Sequence, residues 1–221
     1  MDVFVEIGSK RTFASAVQWP GWSRSGKTEE AALAQLAAYG PRYQQAVGLT
    51  PARLPLPETT ADLVVIERLK GSSGTDFGVP SALAQADEQP VNGEELAALA
   101  DLWRSAWAYF DSAARKAQGV TLTVGPRGGG RSLEKIRMHT MESEAAYANA
   151  LGARSIKPTS DIAQDEEFAR AAFLDAVTNR AEGLPPERTV RSARLWIPRE
   201  AIRRSIWHTL DHAWEIEDRN S

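Results

Sequence analysis

The chain of 221 residues has 26 lysines and arginines and 29 aspartates and glutamates, a net charge of −3, so no overall attraction to nucleic acid or anionic membrane is expected. It contains no cysteine, which excludes disulfides, a cysteine nucleophile and thiolate ligands and leaves His, Asp and Glu to bind any metal. The N-terminus lacks the pattern of a signal peptide, and no apolar run is long enough for a membrane span. A cytoplasmic location is therefore expected.

The first seventy residues predict a small mixed module. Thr28 is a favourable N-cap for its helix, which Gly40 and the following proline kink or interrupt. The predicted elements are strands over residues 2–6 and 11–18, a helix over 31–46 and a strand over 63–66. The predicted order is therefore β-β-α-β over residues 1–70. Residues 71–91 are polar and contain glycine, which predicts a linker.

The rest of the chain predicts four helices. Apolar residues recur there at helical spacing, with capping residues at the starts and glycines after several of the ends. The four segments are residues 92–119, 132–151, 163–181 and 198–218. Helices of comparable length joined by loops indicate a four-helix bundle over residues 92–221. The predicted fold class is therefore α+β.

All three histidines lie in these helical segments. His208 and His212 are four residues apart, which places both imidazoles on one face of a helix, while His139 lies on the second helix of the four. The small residues Ala201 and Ser205 beside the pair leave room for an ion and a substrate. Three neutral imidazoles suit zinc, nickel or iron with one open coordination position. The pair lacks the glutamate that a zincin peptidase needs after its first histidine, so a peptidase is disfavoured.

Several charged residues near the histidines are candidates for supporting roles. Glu142, Asp211 and Glu215 could orient a ligand or act as acid or base, although each is also typical of a solvated helix face. A glycine-rich stretch precedes the helix of His139, and its Arg127 and Arg131 could bind an anionic group of a substrate. Such a stretch is also typical of a simple connector.

The histidine pattern and the helix order resemble the DinB/YfiT-like superfamily of metal-binding four-helix bundles over residues 92–219. The resemblance implies that His139, His208 and His212 bind a divalent metal. Several members of that superfamily are transferases or isomerases that use a low-molecular-weight thiol such as mycothiol or bacillithiol. It therefore also implies a metal-dependent enzyme that activates such a thiol, or water, for transfer to or isomerisation of a small electrophile.

The first module resembles a HicB-like module, through the sequence Trp-Pro-Gly-Trp at residues 19–22 and the helix start at residues 25–31. HicB modules are toxin-binding parts of antitoxins, so the alternative function is a binding or regulatory protein with a structural or sensing metal bundle. Residues 21–28 also match the P-loop pattern, but Pro20 breaks the strand before them, so nucleotide hydrolysis is disfavoured. The expected partner is a small-molecule substrate, and neither nucleic acid nor a membrane is expected. The sequence leaves open whether the protein forms a homodimer.

Overall fold

The computed structural model describes residues 1–50, 53–125, 130–154, 159, 161–189 and 194–220. The chain divides into two compact units, Met1–Gln89 and Pro90–Ser221. The first contains a four-stranded sheet and the second is built from long helices, so the predicted α+β class is confirmed. Within the described residues, no helix has the length and apolar character that crossing a bilayer requires.

The first unit is a sheet with the strand order β3-β2-β1-β4. The strands are β1 (Asp2–Ile7), β2 (Thr12–Ala16), β3 (Ser23–Gly26) and β4 (Val64–Lys70). Strands β1 and β2 form the predicted antiparallel hairpin, and β4 pairs with β1 in parallel. The sequence did not predict β3, whose short polar Ser-Arg-Ser-Gly lacks the apolar alternation that indicates a strand. The order is therefore β-β-β-α-α-β.

Two short helices follow β3 in place of the one predicted over residues 31–46. They are α1 (Glu29–Ala38) and α2 (Gly40–Ala46), and they separate where the sequence predicts an interruption. Thr28 caps α1 by accepting a hydrogen bond from the backbone N–H of Ala31. The indole of Trp22 is fully buried, stacks on Tyr43 at 5.2 Å and donates to the carbonyl of Leu36. The Trp-Pro-Gly-Trp sequence thus anchors both helices to the sheet.

Residues 71–89 belong to the first unit, whereas their polar, glycine-containing sequence predicts a linker over residues 71–91. They include the five-residue helix α3 (Ser73–Phe77) and a 3-10 turn (Gln85–Glu88). The buried carboxylate of Glu6 in β1 accepts hydrogen bonds from the Thr75 hydroxyl and from the backbone N–H groups of Ser81 and Ala82. The buried Glu6 therefore helps to hold this polar segment against the sheet, a contact that a composition-based prediction cannot detect.

The second unit is formed by four long helices. They are α4 (Gly93–Lys116), α5 (Leu133–Ala150), α6 (Ile162–Ala181) and α7 (Pro198–Arg219), close to the four predicted segments. Asn92 and Ser132 cap α4 and α5 as predicted, by accepting from the backbone N–H groups of Glu95 and Lys135. Helix α4 packs along α7 and α5 along α6, and α7 also contacts α5 and α6.

Aromatic side chains fill the interior of the second unit. Trp103 stacks on Phe173 with ring centroids 5.6 Å apart, and both side chains are buried. The indoles of Trp107, Trp207 and Trp214 are buried too, as expected for core residues. Helix α7 is the most deeply buried of the four, since fifteen of its residues are buried. The helix that carries two of the three histidines is therefore the centre of this unit.

Candidate metal centre

The three histidines meet where α5 and α7 face each other. One ligand nitrogen from each of His139, His208 and His212 lies within 4.8 Å of the other two. Nε2 of His139 and Nε2 of His208 are 3.2 Å apart. The ring centroids of His208 and His212 are separated by 4.6 Å. The predicted proximity is therefore confirmed, and the three side chains lie close enough to bind one metal ion.

Helix geometry explains this convergence. His208 and His212 are one turn apart on α7, so both rings project from one face of that helix. His139 projects from the facing side of α5, and its ring meets the rings of the pair edge to face. His208 and His212 are both 8% exposed. The cluster therefore lies largely inside the protein, with His139 at its more accessible side.

The environment keeps two of the imidazoles neutral. Burial, together with the charges of His212 and Arg131, lowers the pKa of His139 to about 4. Burial also lowers the pKa of His208 well below its ordinary value, with further contributions from His212 and His139. A neutral imidazole has a free lone pair on one ring nitrogen, which is the form that coordinates a metal.

His212 is oriented by a carboxylate. Its Nδ1 lies 2.7 Å from Oε2 of Glu215, and Oε1 of Glu215 accepts a hydrogen bond of 2.6 Å from Arg219. Burial alone would raise the pKa of Glu215, but the hydrogen bonds and charges of His212 and Arg219 outweigh it and lower the pKa to about 2. An ionised Glu215 accepts a hydrogen bond from the Nδ1–H group of His212 and leaves the Nε2 lone pair of His212 available to a metal, as carboxylates behind metal-binding histidines do.

The donor set fits a divalent transition metal. In a tetrahedral site with metal–nitrogen distances of 2.0–2.1 Å, two imidazole nitrogens are about 3.3 Å apart, close to the 3.2 Å between His139 and His208. Three imidazole nitrogens, one of them on a ring held by a carboxylate, are ligands that zinc, nickel and iron accept. The residues present therefore fit the predicted metal, and a three-histidine site leaves a coordination position open.

Arg219 connects the cluster to the segment that precedes α5. Its guanidinium is 2% exposed and donates to the backbone carbonyls of Thr123 and Arg131, in addition to Glu215. Because Arg131 lies at this junction, its positive charge acts on both His139 and His208. The second predicted anion-binding residue, Arg127, lies outside the described residues.

The other candidates are less closely tied to the cluster. Glu142 is exposed on α5, and Asp211 is half-buried on α7. Glu215 contacts His212 directly. The hydroxyl of Ser205 lies 2.8 Å from each carboxylate oxygen of Glu144.

Arg219 and Glu144 were not among the residues predicted from the sequence. Arg219 follows His212 at a spacing of seven residues and Glu215 at a spacing of four, so helical periodicity could have indicated it. Glu144 lies on α5 and meets α7 only through tertiary packing. No local pattern distinguishes it from an exposed glutamate such as Glu142.

A groove of about 820 Å³ lies between α4, α5 and α6 and is separate from the histidines. Two bidentate ion pairs line it, Arg170 with Asp111 and Arg137 with Glu166. Arg137 precedes His139 by two positions, and residues two apart on a helix face different directions. The groove therefore opens on another side of α5 and does not give access to the metal centre.

The P-loop pattern has a structural explanation. Residues 23–26 form the antiparallel strand β3, whereas a P-loop follows a buried parallel strand. A Cβ atom at Gly26 would lie 2.5 Å from the backbone nitrogen of Ala32, so glycine permits the close approach of α1 to this strand. The geometry gives no support to nucleotide binding at this sequence.

Comparisons with protein-family models, with curated proteins and with solved structures found no match. The assignment of a function therefore depends on the geometry and chemistry of the site.

Proposed function

We propose that the protein is a divalent-metal-dependent enzyme of the DinB-like type, which acts on a small electrophile with a low-molecular-weight thiol of the mycothiol type or with water. The observation that carries the proposal is the convergence of His139, His208 and His212, with one ligand nitrogen each within 4.8 Å. When bound there, a divalent metal with an open position supplies Lewis acidity and lowers the pKa of a thiol or water.

The protein's own residues have distinct roles in this proposal. The three histidines hold the ion, and Glu215 keeps His212 in the tautomer whose Nε2 is free. Arg219 keeps Glu215 ionised and in place. The positive charge of Arg131 next to the cluster favours an anionic group on the substrate or the thiol.

A turnover experiment tests the proposal. The zinc- or nickel-reconstituted protein is assayed with mycothiol and chlorodinitrobenzene, where a carbon–sulfur bond forms, chloride leaves and the thiol proton passes to solvent. A second assay follows the thiol-dependent isomerisation of maleate. We expect turnover that requires both metal and thiol and is lost in His139→Ala, while Met138→Ala, an exposed neighbour on α5, retains it. A metal-loaded protein that is inactive in both assays would contradict the thiol-dependent chemistry.

The low exposure of two histidines favours a second candidate function. His208 and His212 are each only 8% exposed, as expected for a metal that stabilises or senses rather than one that meets substrate. In this alternative the protein is a non-enzymatic binding or regulatory protein, and its HicB-like unit recognises a partner. Stoichiometric metal without turnover, together with a melting temperature that rises on metal binding, would favour this candidate.

A further inference from the structure

A buried polar cluster lies beside the histidines and is not used in the proposed function. It consists of Trp103 on α4, Glu144 on α5 and Ser205 on α7, which are 3%, 1% and 0% exposed. Trp103 Nε1 lies 3.0 Å from Oε1 of Glu144 and 2.8 Å from the Ser205 hydroxyl. The Ser205 hydroxyl lies 2.8 Å from both oxygens of Glu144. One carboxyl group thus connects three of the four helices.

The surroundings of Glu144 favour its protonated form. The indole and the Ser205 hydroxyl supply one hydrogen each to the contacts of the cluster, and a neutral carboxylic acid can supply a third. Burial raises the pKa of Glu144 to about 8, against the opposing effect of its hydrogen bonds and of Arg170. A neutral, fully bonded acid at this position acts as a hydrogen-bonding connector rather than as a charge.

The cluster lies close to the metal centre along both helices that carry it. Ser205 precedes His208 by three residues, or about 4.5 Å of helix rise, and shares a face with His208 and His212. Glu144 follows His139 by five residues, or about 7.5 Å. Glu144 contacts Ser205, and His139 contacts His208. The later residue of α5 thus meets the earlier residue of α7, so the two helices run antiparallel. Any axial shift of α5 against α7 at the cluster therefore changes the separation of the histidines.

Apolar packing specifies the axial position of a helix less sharply than hydrogen bonds do, because cores of apolar side chains tolerate repacking. A hydrogen-bonded polar group in a helical core accepts one register, since any other leaves it unsatisfied. Burying an acid costs free energy unless its polar atoms are hydrogen-bonded, and the contacts with Trp103 and Ser205 meet that need. A role in helix register accounts for its place between the two metal-binding helices.

We propose that Glu144 is a positioning residue, whose hydrogen bonds with Ser205 and Trp103 fix the register of α5 against α7 and so set the distance from His139 to His208 and His212. This inference rests on the proposed metal centre. It assigns Glu144 no contact with metal or substrate.

Cobalt(II) binding tests the inference, because the absorption spectrum of the ion reports ligand geometry and the chain has no cysteine to add other ligands. The variants are Glu144→Gln, Glu144→Met and Ser205→Ala. Glutamine retains a donor and an acceptor, so it should keep the wild-type spectrum and affinity. Methionine keeps the length but loses the hydrogen bonds, so it should weaken cobalt binding about tenfold and alter the spectrum. Ser205→Ala should also weaken cobalt binding and alter the absorption spectrum in the same direction as Glu144→Met.

The control is Val177→Ala, which removes a fully buried side chain of α6 that lies outside the polar cluster. It should lower the melting temperature and leave the cobalt spectrum unchanged, so that a general loss of stability is distinguished from a change of register. If Glu144→Met or Ser205→Ala remains folded by circular dichroism and binds cobalt as wild type does, the positioning role is refuted and the metal centre stands. If the wild-type protein binds no cobalt, the metal centre is refuted and the inference with it.

Discussion

Replacing Glu144 with glutamine should change how the stability of the protein depends on pH. Burial raises the pKa of Glu144 from its ordinary value of 4.5 to about 8. Between these two values the folded protein holds a proton that the unfolded chain has released, so this group makes the folded state less stable as the pH rises. The slope for one such group is about 1.4 kcal/mol per pH unit. From pH 5 to pH 7.5 this group therefore lowers the free energy of unfolding by about 3 kcal/mol.

Glutamine does not titrate. As the pH rises through this range, the free energy of unfolding of Glu144→Gln should therefore increase relative to that of wild type by about 1 kcal/mol per pH unit. Urea unfolding of both proteins at several pH values, with a chelator present to remove metal, measures the difference. Glu142→Gln, an exposed site on the same helix, is the matched control and should show a nearly constant difference from wild type. A constant difference for Glu144→Gln as well would show that Glu144 titrates normally and refute the reasoning.

Three further predictions concern the supporting residues. Glu215→Gln should weaken zinc affinity by about 10- to 100-fold, measured by chelator competition, because His212 loses its orienting carboxylate; unchanged affinity would exclude that role. Glu6→Ala should lower the free energy of unfolding by about 1–3 kcal/mol and speed proteolytic cleavage within residues 71–89, because part-buried N–H groups lose their acceptor; an unchanged cleavage rate would argue against the anchor. Neither the wild-type protein nor Lys27→Ala should bind a fluorescent ATP analogue, because the pattern lies on an antiparallel strand. Binding that depends on the lysine would restore the P-loop interpretation.

The helices could be predicted from sequence because their signals are local. Apolar spacing and the capping residues Asn92 and Ser132 define two helix starts that the structure confirms. The histidine pair on α7 follows from helical geometry in the same way. Strand β3 was missed because its pairing with β2 is a tertiary contact of a short polar segment.

The supporting parts of the site depend on contacts between distant residues. Glu144 and Ser205 are 61 positions apart, and Arg219 meets the carbonyl of Thr123 across 96 positions. Spacing along one helix cannot indicate such pairs. The packing of residues 71–89 against Glu6 could not be predicted for the same reason. A polar, glycine-containing segment is typical of a linker, and its contact with a distant buried glutamate leaves no local signal.

Metal content after reconstitution tests the central claim most directly. Wild-type protein is loaded with zinc, dialysed and analysed by inductively coupled plasma mass spectrometry beside His139→Ala, His208→Ala, His212→Ala and the control Met138→Ala. A three-histidine centre predicts one zinc ion per chain in wild type and in Met138→Ala, and a large loss in each histidine variant. Wild-type protein without stoichiometric zinc, nickel or iron, or histidine variants that retain the full amount, would contradict the metal centre.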